Sequence, residues 1–107
     1  MKKRKFKIIK FSSLVEVTGF IFNAETRQFA LYIEDERNRL IITDLQLGAN
    51  VLTALHNDLL KPTTENLIDF AKSYISKITP EQWDQATVRM KTEYPHIEIP
   101  VNKRFKL

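Results

Sequence analysis

The sequence predicts an α+β fold, an antiparallel sheet of three to five strands with helices packed on one face. Three observations predict it. Residues 14–43 alternate with a period of two between short polar turns, residues 45–94 switch to a helical period, and residues 96–101 alternate again. At 107 residues the chain fits a single domain, 1–107, with basic terminal segments at 1–7 and 102–107.

The elements follow in order. Residues 4–11 can add a basic strand at the start. Residues 14–22 (LVEVTGFIF) are rich in β-branched and aromatic side chains, with apolar groups on both faces, as expected of a central or doubly covered strand. Gly19 marks either a bulge or a close backbone approach. Asn23–Thr26 reads as a hairpin connection. In residues 28–34 (QFALYIE), Phe29, Leu31 and Ile33 share one face, with Gln28, Ala30, Tyr32 and Glu34 opposite. Tyr32 on that polar face is either a stacking platform or a cross-strand filler. Residues 35–38 form a second polar turn, and residues 39–43 (RLIIT) complete an antiparallel meander.

Three helices are expected next. Leu45, Leu52, Leu55 and Leu59, with Val51 beside them, fall near helical spacing; Asp44 is placed to cap that helix, and Lys61-Pro62 ends it. A second helix starts at Thr63 or Thr64 and turns Leu67, Phe70, Ala71, Tyr74, Ile75 and Ile78 inward. The third starts at Thr79-Pro80-Glu81-Gln82, which combines an N-cap, a proline at the first helical position and a capping box. It runs to about Glu93 with Trp83, Ala86 and Met90 inward. Trp83 there is core rather than an interface anchor. Ile97, Ile99 and Val101 then alternate as a C-terminal strand, and Pro100 puts it at an edge.

Charge carries the functional reading. Residues 1–10 hold six basic side chains and residues 103–107 three more; the stretch between holds all 13 acidic residues against 8 basic ones. A mildly acidic body with two basic, phenylalanine-bearing ends suits a polyanion. The expectation is a small non-enzymatic protein that binds nucleic acid, DNA or RNA, as an accessory factor of the kind a phage or mobile element uses. Lys2, Lys3, Arg4, Lys5 and Lys7, with Lys103, Arg104 and Lys106, would contact phosphates; Phe6 and Phe105 would add apolar or stacking contact. The competing structural role for the N-terminal lysines is a charged edge strand that resists aggregation. The alternative function is a protein-binding adaptor or inhibitor whose acidic body, through Glu34, Asp35, Glu36 and Asp44, meets the basic surface of a nucleic-acid-handling enzyme.

Other chemistry finds little footing. With no cysteine, disulfides, thiolate metal sites and cysteine nucleophiles are excluded. Two glycines cannot make a dinucleotide fingerprint or a phosphate loop. His56 and Asp58, two apart on a helix, point to different sides, and His96 has no partner at metal spacing. Glu34–Glu36 with Asp44 could hold a hard cation but reads more simply as a solvated turn. No catalytic residue, cofactor or metal is therefore expected. The basic N-terminus lacks the apolar run of a signal peptide, and no segment reaches membrane-spanning length, so a soluble cytoplasmic setting is expected.

Overall fold

A computed structural model of the chain describes residues 2–37, 39–55 and 64–107. It is an α+β structure built on one five-stranded antiparallel meander. The strands are β1 (Lys3–Lys10), β2 (Ser13–Ala24), β3 (Arg27–Glu34), β4 (Arg39–Asp44) and β5 (Ala49–Leu55), paired in that order. Two helices follow, α1 (Thr64–Ile75) and α2 (Pro80–Glu93), and a tail of turns and extended chain completes the described residues.

The meander is tightly wound. Both β1–β2 and β2–β3 turn through two residues with positive φ, Phe11-Ser12 and Glu25-Thr26. That is the geometry that matches the twist of hairpin strands, here made without the usual glycine or asparagine. Gly19 serves a close approach, since a Cβ there would lie 2.3 Å from the Leu31 carbonyl oxygen and 2.8 Å from Tyr32 Cβ. The pairing of β1 with β2 runs through it without a register shift. The sheet also curls back on itself: on the outer edge of β1 the Ile9 amide donates to the Gly48 carbonyl at 2.8 Å, from the turn that joins β4 to β5.

Each face of the curled sheet is covered. On one, Phe22, Phe29, Leu31, Leu40 and Ile42 pack against Leu67, Ile68, Ala71 and Ile75 of α1, with Trp83 of α2 alongside. On the other, Phe6, Ile8, Ile21, Ala30, Tyr32, Ile41 and Leu45 form a second core against which Phe105 of the tail packs. Tyr32 is thus a cross-strand filler, its ring edge-on to Phe6 with centroids 5.8 Å apart. Burial pushes its hydroxyl above the ordinary tyrosine range, reinforced by the nearby Glu34 charge.

Several expectations are corrected. There is no helix over residues 44–55; that stretch is a turn followed by β5. Its near-helical spacing has a physical source. The β4–β5 register shifts between Ile42, paired with Leu52, and Thr43, paired with Asn50, so Val51 is an inserted residue. Val51 and Leu52 both reach the helix-side core as a result. Asp44 caps the turn instead of a helix, accepting from the amides of Gln46 (2.8 Å) and Leu47 (3.2 Å). Gly48, with φ of +64°, closes that turn by donating to the Asp44 carbonyl. The part of the expected first helix beyond Leu55, with His56, Asp58, Leu59 and the Lys61-Pro62-Thr63 signals, lies outside the described residues.

In α1 the buried stripe is Leu67, Ile68, Ala71 and Ile75, while Phe70 and Tyr74 are exposed. The expected second helix is therefore present with its inward face rotated. The third expected helix is α2, and its capping box is formed: Thr79 Oγ1 accepts from the Gln82 amide and Gln82 Oε1 accepts from the Thr79 amide. Trp83 is half-buried against the helix-side core. Residues 96–101 are not a strand. Ladder bonds are replaced there by the Val101 amide donating to the Gln46 carbonyl and by side-chain amides described below.

Candidate nucleic-acid interface

The basic N-terminal segment is an edge strand with two chemically distinct rows. Phe6 and Ile8 point into the second core and are 2% and 4% exposed. Lys3, Lys5 and Lys7 alternate with them and are all exposed. Alternation along β1 thus gives an anchor, Phe6 and Ile8, and a cationic row, Lys3, Lys5 and Lys7, while the exposed Arg4 falls on the anchor's side. The row faces the same way as its partners on β2, where Lys3 lies opposite Phe20, Lys5 opposite Thr18 and Lys7 opposite Glu16. The Lys3 ammonium rests 5.8 Å from the centre of the Phe20 ring. Among the described residues none of Lys2, Lys3, Arg4, Lys5 and Lys7 is in an ion pair, whereas Lys10 reaches Glu34 at 3.8 Å.

Beside this row lies a cleft of about 240 Å³, lined by Lys3, Thr18, Phe20, Ile33, Leu40 and Leu67 among others. Its walls come from the first four strands and from α1. Ile33 at its mouth is 48% exposed.

The C-terminal basic segment joins the same body through Asn102. The Asn102 Oδ1 accepts from the Lys7 amide at 2.8 Å, and its Nδ2 donates to the carbonyls of Lys7 (2.8 Å) and Leu45 (2.9 Å). One side chain thus occupies the outer edge of β1 as a neighbouring strand would. Gln28 repeats the device from the other partner: its Oε1 accepts from the Phe105 amide at 2.7 Å and its Nε2 donates to the Phe105 carbonyl at 2.8 Å. Between these two stitches Lys103 and Arg104 are exposed, and Arg104 donates to the Thr26 carbonyl at 3.3 Å. Lys106 is exposed beyond Phe105.

Of the ten residues expected to touch nucleic acid, eight are cations on the surface and two are phenylalanines in packed positions. Phe6 is core, so its ring faces Tyr32 and not a ligand. Phe105 is half-buried and anchors the tail on the second core. Exposed or half-exposed aromatic surface sits elsewhere: Phe20 beside the cationic row, and Phe11, 84% exposed at the β1–β2 turn, with Lys10 Nζ 5.8 Å from its ring centre. The signal for Phe20 was its register opposite Lys3, which only the pairing of β1 with β2 reveals. The two basic segments meet at Lys7 and Asn102 and then diverge, the lysine row lying on the helix side and the tail crossing the opposite face.

Two of the four carboxylates proposed for a protein partner or a cation, Asp44 and Glu34, are already engaged, whereas Glu36 is exposed. Asp44 is fully buried and accepts from Arg27 Nε at 2.6 Å. The Arg27 guanidinium lies 4.4 Å from the centre of the Trp83 ring, where stacking compensates for a buried Nη2 with no hydrogen-bond partner. Glu34 accepts from Arg39 at 2.7 Å and has Arg37 and Lys10 within 4 Å. The Arg39 hydrogen bond is the main reason its carboxyl titrates below the ordinary range, with all three cations adding to it against partial burial. Asp44 and Glu34 stand at opposite ends of the β3–β4 pairing. No group of three histidine, aspartate or glutamate side chains collects among the described residues. His96 Nε2 is 2.9 Å from the Ser12 carbonyl at the β1–β2 turn, a packing contact of the tail. No helix among the described residues is long and apolar enough to cross a membrane.

No family model, no curated protein and no solved structure matches the chain.

Proposed function

We propose that the protein is a non-enzymatic nucleic-acid-binding protein that holds phosphates on the cationic row of β1, with the C-terminal cations in support. One observation carries this reading: Lys3, Lys5 and Lys7 are exposed, outside any ion pair among the described residues, and fixed on one face of a strand whose other face is anchored in the core by Phe6 and Ile8. Alternate residues of a strand lie about 6.8 Å apart, close to the phosphate repeat of an extended nucleic-acid strand. An edge strand that needed lysines only against aggregation would gain nothing from an aromatic ring and an apolar cleft beside them. The alternative of an acidic surface for a basic protein partner has less support, because Asp44 is buried and Glu34 is held by Arg39.

The test is the triple substitution Lys3→Gln, Lys5→Gln and Lys7→Gln, which removes charge from exposed positions and leaves both cores intact. Affinity for mixed-sequence oligonucleotides should fall by one to several orders of magnitude at moderate salt. The slope of log affinity against log salt should become shallower by about 2 to 3, roughly 0.7–0.9 for each phosphate that is no longer neutralised. An unchanged slope would remove β1 from the interface. Truncation of the tail is a poorer test, since Phe105 belongs to the second core.

A further inference from the structure

We infer that the preferred ligand is an unpaired nucleic-acid strand, one of whose bases enters the cleft between the sheet and α1 and lies against Phe20. This rests on the phosphate reading of β1 and adds the class of nucleic acid. The cationic row ends at Lys3, and Lys3, Thr18 and Phe20 form the near wall of the cleft. Phe20 is half-buried, so its ring is fixed in the sheet yet keeps a surface toward solvent. Ile33, Leu40 and Leu67 make the remaining wall apolar. An aromatic ring held at the mouth of an apolar recess and flanked by cations is a stacking platform.

A duplex cannot use it. Its bases are stacked and paired inside, and only its phosphates would reach the lysines. An unpaired strand presents both groups at once, with phosphates along Lys5 and Lys7 and a base turned inward past Lys3. The flexible Lys3 ammonium over the Phe20 ring gives way to the base by moving to a phosphate. Stacking is indifferent to base identity, so little sequence preference is expected.

The experiment compares a mixed-sequence single strand, carrying 2-aminopurine at one position, with its own duplex at one fixed salt concentration. Binding is read by anisotropy and base stacking by fluorescence quenching. The parent should prefer the single strand by about tenfold and quench the probe. Phe20→Leu keeps an apolar side chain but no ring; it should lower single-strand affinity roughly fivefold or more and leave duplex affinity unchanged. Thr18→Met, at an exposed position on the cleft wall, adds bulk without a ring and should block entry and abolish quenching while leaving the lysines in place. Equal affinity for both forms, or quenching that survives in both variants, overturns the base-binding inference while the phosphate reading stands. Binding to neither form overturns both.

Discussion

Helix α1 closes its face of the sheet with Leu67, Ile68, Ala71 and Ile75, four apolar side chains on Phe22, Phe29, Leu31, Leu40 and Ile42. The tail closes the other face with a single ring, Phe105, and through two side-chain amides, its own Asn102 and Gln28 of β3, that imitate a backbone ladder. Apolar burial is non-directional and scales with area, so the first cover is held by many interchangeable contacts. Hydrogen bonds are directional and modest in net effect, so the second depends on a few irreplaceable groups. The helix cover should therefore fail globally and the tail locally. That difference bears on the proposed interface, because the lysine row lies on the helix side while the backbone of its strand is held at Lys7 by Asn102 of the tail.

Asp44 ties both covers together, and its loss should have the largest effect. It holds the 45–48 turn, whose carbonyls receive Ile9, Val101 and Asn102 from β1 and the tail. It also neutralises Arg27, which lies on Trp83 of α2. Asp44→Ala leaves a guanidinium largely buried without its counter-charge and should cost about 3–5 kcal/mol. Both covers should loosen together. Chemical denaturation measures the cost, and amide exchange should rise in α1 and at Lys7 alike. Loss of protection on one side only would show that the covers are independent.

Ile75→Ala separates them. Ile75 is 0% exposed in the helix-side core, so truncation should cost roughly 2–5 kcal/mol. The midpoint of unfolding should drop while protection of the Lys7 amide, measured relative to global stability, is retained. Asn102→Ala is the reciprocal change. It removes three hydrogen bonds, but the Lys7 groups that it frees can turn to water, so about 1–3 kcal/mol is expected. Exchange at Lys7 and Val101 should accelerate with little change in α1. Global unfolding without this local signature would contradict the view of the tail as a separately held cover.

The same contrast decides what could be read from the residues alone. Strands β1 to β4 and the α2 cap were legible because each rests on local alternation or on a local hydrogen-bonding motif. β5 was not: its bulge at Val51 gives a strand the spacing of a helix, and Asp44 fits a helix N-cap as well as a turn. The tail misled for another reason. Ile97, Ile99 and Val101 alternate, yet what fixes the segment is Asn102 reaching residues 95 and 57 positions away. An asparagine acting as backbone has no local signature. For the interface, the cations were legible as charge. The assignment of Phe6 to core and of Phe20 to the side of the lysine row depended on which side of β1 the sheet closes, and that follows only from the curl.

Glu34 gives the smallest effect, and it tests what holds the end of β1. It joins β3 to β4 through Arg39 and reaches Lys10 at the end of β1. Because its carboxyl is held below the ordinary range, folding favours its ionised form. The corresponding stability is present above the unfolded-state carboxyl pKa of about 4.3 and is lost as pH falls through the lower folded value. Glu34→Gln should therefore be less stable than the parent near neutrality, with the gap closing below about pH 4. Melting temperatures from pH 7 down to about 3 measure this. The pair is partly solvent-accessible, so added salt should narrow the gap at neutral pH as well. Parallel melting curves across the acid range would mean that Glu34 gains nothing from its cations on folding. The β1 end at Lys10 would then be held by Ile9 and the neighbouring backbone alone, with its charge no part of what holds the strand.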